Sequence, residues 1–183
     1  MRVSKCIKFM GTFIMNYSFK NEVLNKYDSD VYKMFSRFFC TLPLAGLINE
    51  KIFVVHGGLS PMKFTLADVE KINRFVDSPD KCLMANLLWS DVMNSDGLKI
   101  GRGGSGVQFG PDIAAEFLQE NGLEYLIRSH EKKDAGYEIH PGGKVITVFS
   151  AANYCGKEGN KGAFIKFKDS SLKPNIVQFK AEA

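Results

Sequence analysis

Residues 52–58, Ile52-Phe53-Val54-Val55-His56-Gly57-Gly58, set four bulky apolar residues directly before a histidine and two glycines. Four such residues are too few for a helix, and they have the β-branched and aromatic character of a buried strand. The pattern recurs twice. Tyr125-Leu126-Ile127-Arg128-Ser129 leads into His130, and Val145-Ile146-Thr147-Val148-Phe149 leads toward Asn153 and Tyr154. Strand ends hold side chains at an edge of a sheet, where loops anchored on a rigid scaffold collect ligands. Three such ends point to one convergent site in a chain that mixes α and β.

Working outward, Leu44 to Ile48 is a second short aliphatic run, joined to Ile52–Val55 through Asn49-Glu50-Lys51 as a hairpin. Upstream, Asp28 or Ser29 caps a helix with Val31, Phe35, Phe38 and Phe39 on one face, ending before Pro43. Downstream, Thr65 and Asp68 form a capping box for a helix with the stripe Leu66, Val69, Ile72 and Phe75/Val76. Gly110-Pro111-Asp112 opens another helix of about ten residues, with Ile113, Phe117 and Leu118 buried and Gly122 as its stop. Further strands are expected at Ala163–Phe167 and Ile176–Phe179, separated by turns at Gly142-Gly143 and Gly156–Gly162.

The chain has 183 residues, 24 Lys+Arg against 20 Asp+Glu, and 45% hydrophobic residues, the profile of one ordinary globular domain. Its net charge of +4 forms no basic stripe, so neither nucleic acid nor a membrane surface is an expected partner. Cys6, Cys40, Cys82 and Cys155 lie far apart, without disulfide-framework or zinc-knuckle spacing. They read as reduced thiols of an intracellular protein, cytoplasmic or nuclear. No apolar run approaches the roughly 18 residues of a membrane span. Residues 1–15 have a basic lead and an apolar patch but no small-x-small cleavage site, so they are not read as a secretion signal.

Each candidate side chain has a plainer reading beside the chemical one. His56 and His130 are either hydrogen-bonded structural residues or neutral imidazoles sharing one transition-metal ion. The glycines after His56 let another group approach the backbone closely. Gly101-Arg-Gly-Gly-Ser-Gly106 matches a dinucleotide fingerprint in letters only, because residues 94–100 read as a polar loop and the next helix begins near Pro111. The loop delivers Arg102, which either grips a phosphate with paired hydrogen bonds or is simply solvated. His140, in a His-Pro-Gly-Gly turn, reads as exposed and structural.

Five segments in order carry a resemblance: His56-Gly-Gly-Leu-Ser-Pro61, Leu87-Leu-Trp-Ser-Asp91, Arg102-Gly-Gly-Ser-Gly-Val-Gln-Phe-Gly110, Leu126-Ile-Arg-Ser-His-Glu131 and Phe149-Ser-Ala-Ala-Asn-Tyr-Cys-Gly156. They resemble successive motifs of the phosphoprotein phosphatase family of Ser/Thr protein phosphatases. Phe109-Gly-Pro-Asp112, Ile127–Glu131 and Thr65–Ile72 are most similar to the phosphatase 5 and EF-hand phosphatase branches. The resemblance implies an incomplete calcineurin-like metallophosphoesterase fold, a mixed β-sandwich flanked by helices. It implies that His56 and His130 are ligands of the same one of two divalent ions (Mn, Fe or Zn), and that Arg102 and Tyr154 bind phosphate oxygens. The implied reaction is hydrolysis of phosphoserine and phosphothreonine on proteins by an ion-activated water. Phosphoproteins are the implied substrate and a regulatory protein a further partner.

The family's upstream motifs, Gly-Asp-x-His-Gly, Gly-Asp-x-x-Asp-Arg-Gly and Gly-Asn-His-Glu, do not occur in this chain. Residues 16–183 therefore read as the C-terminal portion of a catalytic domain, behind a leader, residues 1–15, that lacks the resemblance. The chain is expected to carry at most one partial metal site and to be catalytic only in a full-length context. The alternative is a truncated, inactive phosphatase-like protein with a binding or regulatory role. The arginine loop has one residue more before Phe109-Gly110 than the family pattern. Ala152 stands where the family has proline, which loosens the loop carrying Tyr154.

Overall fold

A computed structural model describes residues 19–76, 82–101, 104–168 and 171–182. Helices α1 (Phe19–Lys26) and α2 (Ser29–Thr41) come first, the second capped by the Asp28 carboxylate, which accepts from the amides of Asp30 and Val31. Of the expected apolar face of α2, Phe39 is buried with Cys40, whereas Phe38 is 56% exposed. This pair stands apart from the main core and is joined by its own ring contacts, Phe19 against Phe35 and Phe39.

β1 (Ala45–Ile48) and β2 (Ile52–Val55) form the expected antiparallel hairpin, turning through Asn49 and Glu50, both at positive φ. The capping box at Thr65 is present, but its helix, α3 (Leu66–Glu70), stops early. The side chain of Asn73 accepts from the Phe75 amide, and Arg74 donates to the carbonyls of Thr41 and Leu42, so the backbone leaves the helical path. Ile72 and Val76 still pack on the core, while Phe75 is 65% exposed.

After α4 (Leu83–Trp89), β3 (Asp91–Val92), β4 (Leu98–Ile100) and β5 (Val107–Phe109) make a small sheet in the order β3-β5-β4. The stretch read as a polar loop thus ends in a strand directly before Gly101. The fingerprint reading still fails, because Gly106 runs into β5 and not into a helix. α5 (Pro111–Glu120) has its expected proline start and buries Ala114, Phe117 and Leu118.

β6 (Tyr125–Arg128), β7 (Tyr137–Ile139) and β8 (Val145–Val148) complete a five-stranded sheet, β1-β2-β6-β8-β7. Its three inner strands are parallel, with Phe53 beside Leu126 and Ile127 beside Ile146. Parallel strands are buried on both faces, which is why they read as unbroken apolar runs. Their C-terminal ends lie at one edge of the sheet. β9 (Gly162–Lys168) and β10 (Ser171–Phe179) form a separate hairpin, tied to the end of β8 by the Ala163 amide donating to the Phe149 carbonyl. The core lies under the large sheet, where Phe53 and Phe64 pack on Phe117 at 5.2 and 4.8 Å between ring centroids.

Candidate active site

The Ser129 amide donates to the His56 carbonyl at 3.1 Å, extending the β2–β6 pairing to the sheet edge. The next residue, His130, takes a left-handed backbone conformation, φ 67. His56 Nε2 and His130 Nδ1 then face each other at 3.2 Å. The Trp89 indole and the His130 ring pack in a T-shaped contact, 5.5 Å between centroids. Asp91 Oδ1 lies 3.9 Å from His130 Nε2.

The glycines after His56 have a definite steric task. The Gly57 amide donates to the Leu87 carbonyl, and a Cβ there would strike the backbone of Leu88 and Trp89; one at Gly58 would strike the Phe109 ring. The group that approaches is therefore the C-terminal turn of α4, which carries Trp89 and Asp91 to the histidines. Trp89, Asp91, His130, Glu131 and Lys132 line an open cleft of about 430 Å³.

Burial is the largest effect on His56, followed by the positive charges of His130 and Arg128; together they push its pKa down to about 3. The imidazole is therefore neutral at pH 7, with a lone pair to give. The Asp91 carboxylate, 3.9 Å from His130 Nε2, sets a negative charge beside the pair.

Tyr154 lies on the loop that leaves the end of β8 and packs against Phe149 at 5.3 Å between ring centroids. Asn160 organises this loop. Buried, it accepts from the Tyr154 amide and donates to the carbonyls of Ala151 and Lys161, each at 2.9 Å. Arg102 lies outside the described residues. His140 departs from expectation: it is 3% exposed, because its ring folds back from the turn to meet Thr147 Oγ1 at 2.8 Å and Asn94 Oδ1 at 3.3 Å.

Two further residues gained no role from the sequence. Asp91 is reached only through the packing of α4 on Gly57. Arg128 is the larger omission, since a charge closing an apolar run on a buried strand is itself a signal.

The chain belongs to the calcineurin-like phosphoesterase family, which residues 13–134 match. Within that family it falls among the Ser/Thr protein phosphatases, on the phosphatase 5 branch. It is 51% identical over 166 residues to serine/threonine-protein phosphatase 5 of Solanum lycopersicum, covering 90% of this chain and 30% of that one. It is 48% identical to the Homo sapiens phosphatase 5, again over 90% of this chain and 33% of the relative. A solved Saccharomyces cerevisiae serine/threonine phosphatase, described as similar to human phosphatase PP5, superposes with a TM-score of 0.84 at 36% identity. It covers 92% of this chain and 56% of its own. The chain thus spans about a third of the length of the curated relatives it matches.

The family implies divalent metal ions. Metal–nitrogen bonds of about 2.0–2.1 Å set at tetrahedral to right angles place two nitrogens about 2.8–3.4 Å apart. The 3.2 Å between His56 and His130 fits two ligands of one ion, and the neutral state of His56 suits it. Among the described residues no group of three or more His, Cys, Asp and Glu side chains is gathered to hold an ion, so the pair counts as two ligands.

Proposed function

We infer that this chain contributes the histidine part of a two-metal site that hydrolyses phosphoserine and phosphothreonine monoesters on proteins. The observation that carries this reading is the apposition of His56 Nε2 and His130 Nδ1 at neighbouring parallel strand ends. The names of the relatives support the substrate class.

In this reading His56 and His130 hold one ion (Mn, Fe or Zn), and Arg102 and Tyr154 grip phosphate oxygens. Bound ions supply positive charge to the phosphoryl group and acidify the attacking water. The chain's own residues do the positioning. The Asp91 carboxylate sets a negative charge beside His130, the Trp89 indole packs on that ring at right angles, and Asn160 sets the backbone that presents Tyr154. Cys40, Cys82 and Cys155 are free thiols, which supports a cytoplasmic or nuclear setting.

The test has two parts. Co²⁺ titrated into the purified chain should quench Trp89 emission, and His56→Ala and His130→Ala should each abolish the response; binding that survives the double variant defeats the ligand assignment. A chimera in which residues 19–182 replace the matching segment of the yeast phosphatase should then hydrolyse a phosphopeptide with Mn²⁺. A folded, metal-loaded chimera without turnover would favour a binding or regulatory role.

A further inference from the structure

Arg128 is 1% exposed, a guanidinium inside the core at the end of β6. Its Nε donates to the Gly57 carbonyl. One terminal nitrogen donates to the Ser90 carbonyl at 2.8 Å and reaches Asp91 Oδ1 at 3.5 Å; the other donates to Glu131 Oε2 at 2.9 Å. These acceptors sit on three segments distant in sequence. Gly57 follows His56, Ser90 and Asp91 follow Trp89, and Glu131 follows His130.

Stability alone does not call for this arrangement. Desolvation lowers the arginine's pKa, with Glu131 and Asp91 acting against it. Buried charge networks replaced by apolar residues of similar volume are often as stable or more so. An apolar side chain can fill the space but cannot fix the relative positions of three backbone segments. A planar fork of five donors can, because each acceptor must lie in its plane at hydrogen-bond distance. The left-handed backbone at His130 also needs outside restraint, since such conformations persist only where the surroundings hold them.

We propose that Arg128 is a positioning residue that sets the separation and orientation of the His56–His130 pair by clamping the segments that carry both histidines and Asp91. The proposal rests on the metal-site reading for its function, but the clamp itself is a property of the ion-free chain. Lysine at this position keeps the charge and loses the fork, and methionine loses both.

The experiment compares the whole chain with Arg128→Lys, Arg128→Met and, as a control for lost stability, Leu118→Ala in the core. Imidazole nitrogen spectra of the ion-free proteins report the His56–His130 contact, and Co²⁺ titration followed by Trp89 emission reports affinity. The control should keep wild-type imidazole signals and Co²⁺ affinity in its folded fraction. Both arginine variants should shift the imidazole signals and weaken Co²⁺ binding about 10–100-fold, the usual effect of losing a residue that orients ligands. If neither arginine variant folds, Glu131→Gln, which takes one charged acceptor from the guanidinium, should shift the signals in its place. Arginine variants with wild-type signals overturn the proposal. If the wild-type chain binds no Co²⁺, the metal reading fails, and the ion-free spectra still decide the role of Arg128.

Discussion

Replacing Gly57 with alanine tests the packing that builds the cleft. The added Cβ would lie 2.5 Å from the Trp89 nitrogen and 2.7 Å from the Leu88 carbonyl oxygen. Both are backbone atoms of a helix end anchored in the core, so neither can swing aside as a side chain tip would. Forcing them apart has the cost of an overpacked core, about 1–3 kcal/mol. It also stretches the 2.8 Å hydrogen bond from the Gly57 amide to the Leu87 carbonyl, adding about 1 kcal/mol. For a chain of this size each kcal/mol moves the melting temperature by about 2–4 °C, so a loss of about 2–4 kcal/mol lowers Tm by about 4–16 °C. The same substitution at Gly46, where nothing lies within 4 Å of the new Cβ, removes chain entropy from the unfolded state and should raise stability by about 0.5–1 kcal/mol. Thermal melts followed by circular dichroism and Trp89 emission distinguish the two. A Gly57→Ala protein melting no lower than wild type would refute the argument that α4 is seated on a bare backbone.

Two other predictions follow from the site. Burial lowers the pKa of His56 to about 3 and is the largest cause of the downward shift of His140, which Glu138 opposes. Unfolded histidines titrate near 6.5, so below that pH the unfolded chain takes up protons that the folded chain refuses. Ion-free stability should be full above about pH 6.5 and fall as pH drops, by up to about 1.4 kcal/mol per pH unit for each histidine. Urea midpoints that do not change between pH 7.5 and 5 would contradict this. Asn160→Ala should cost about 2–4 kcal/mol through the unpaired amide and carbonyls it leaves. Hydrogen exchange should show the loss concentrated in residues 151–161, and unchanged protection of the Tyr154 amide would count against the loop's dependence on Asn160.

The elements that were legible in the sequence share one property: their periodicity or punctuation is local. Asp28, Asn49-Glu50, Pro111 and Gly122 each mark a boundary that the structure keeps. The α4 helix had no such signal. Met84, Ala85, Asn86, Leu87 and Leu88 are buried in succession, and a helix enclosed on every side has no polar face to reveal its period. At the far end of α3 the apolar spacing suggested more helix than forms, because the Asn73 side chain takes the Phe75 amide and Arg74 reaches away to the Thr41 carbonyl. His140 shows the same limit. Its turn is local and readable, but Thr147 and Asn94, which bury it, come from other segments. In the site, the two histidines could be read from their strands, whereas Asp91 and Arg128 acquire meaning only when three distant segments converge.

The left-handed backbone at residue 130 restricts which substitutions the site can accept. Histidine, asparagine and aspartate enter that region more readily than other side chains, and β-branched residues hardly at all. The three tolerated types are also metal ligands or hydrogen-bonding groups. Variation at this position is therefore filtered by conformation before any chemistry is tested: an exchange to valine or isoleucine would disturb the exit from β6 itself, while one to asparagine would keep the chain's path and lose only the imidazole.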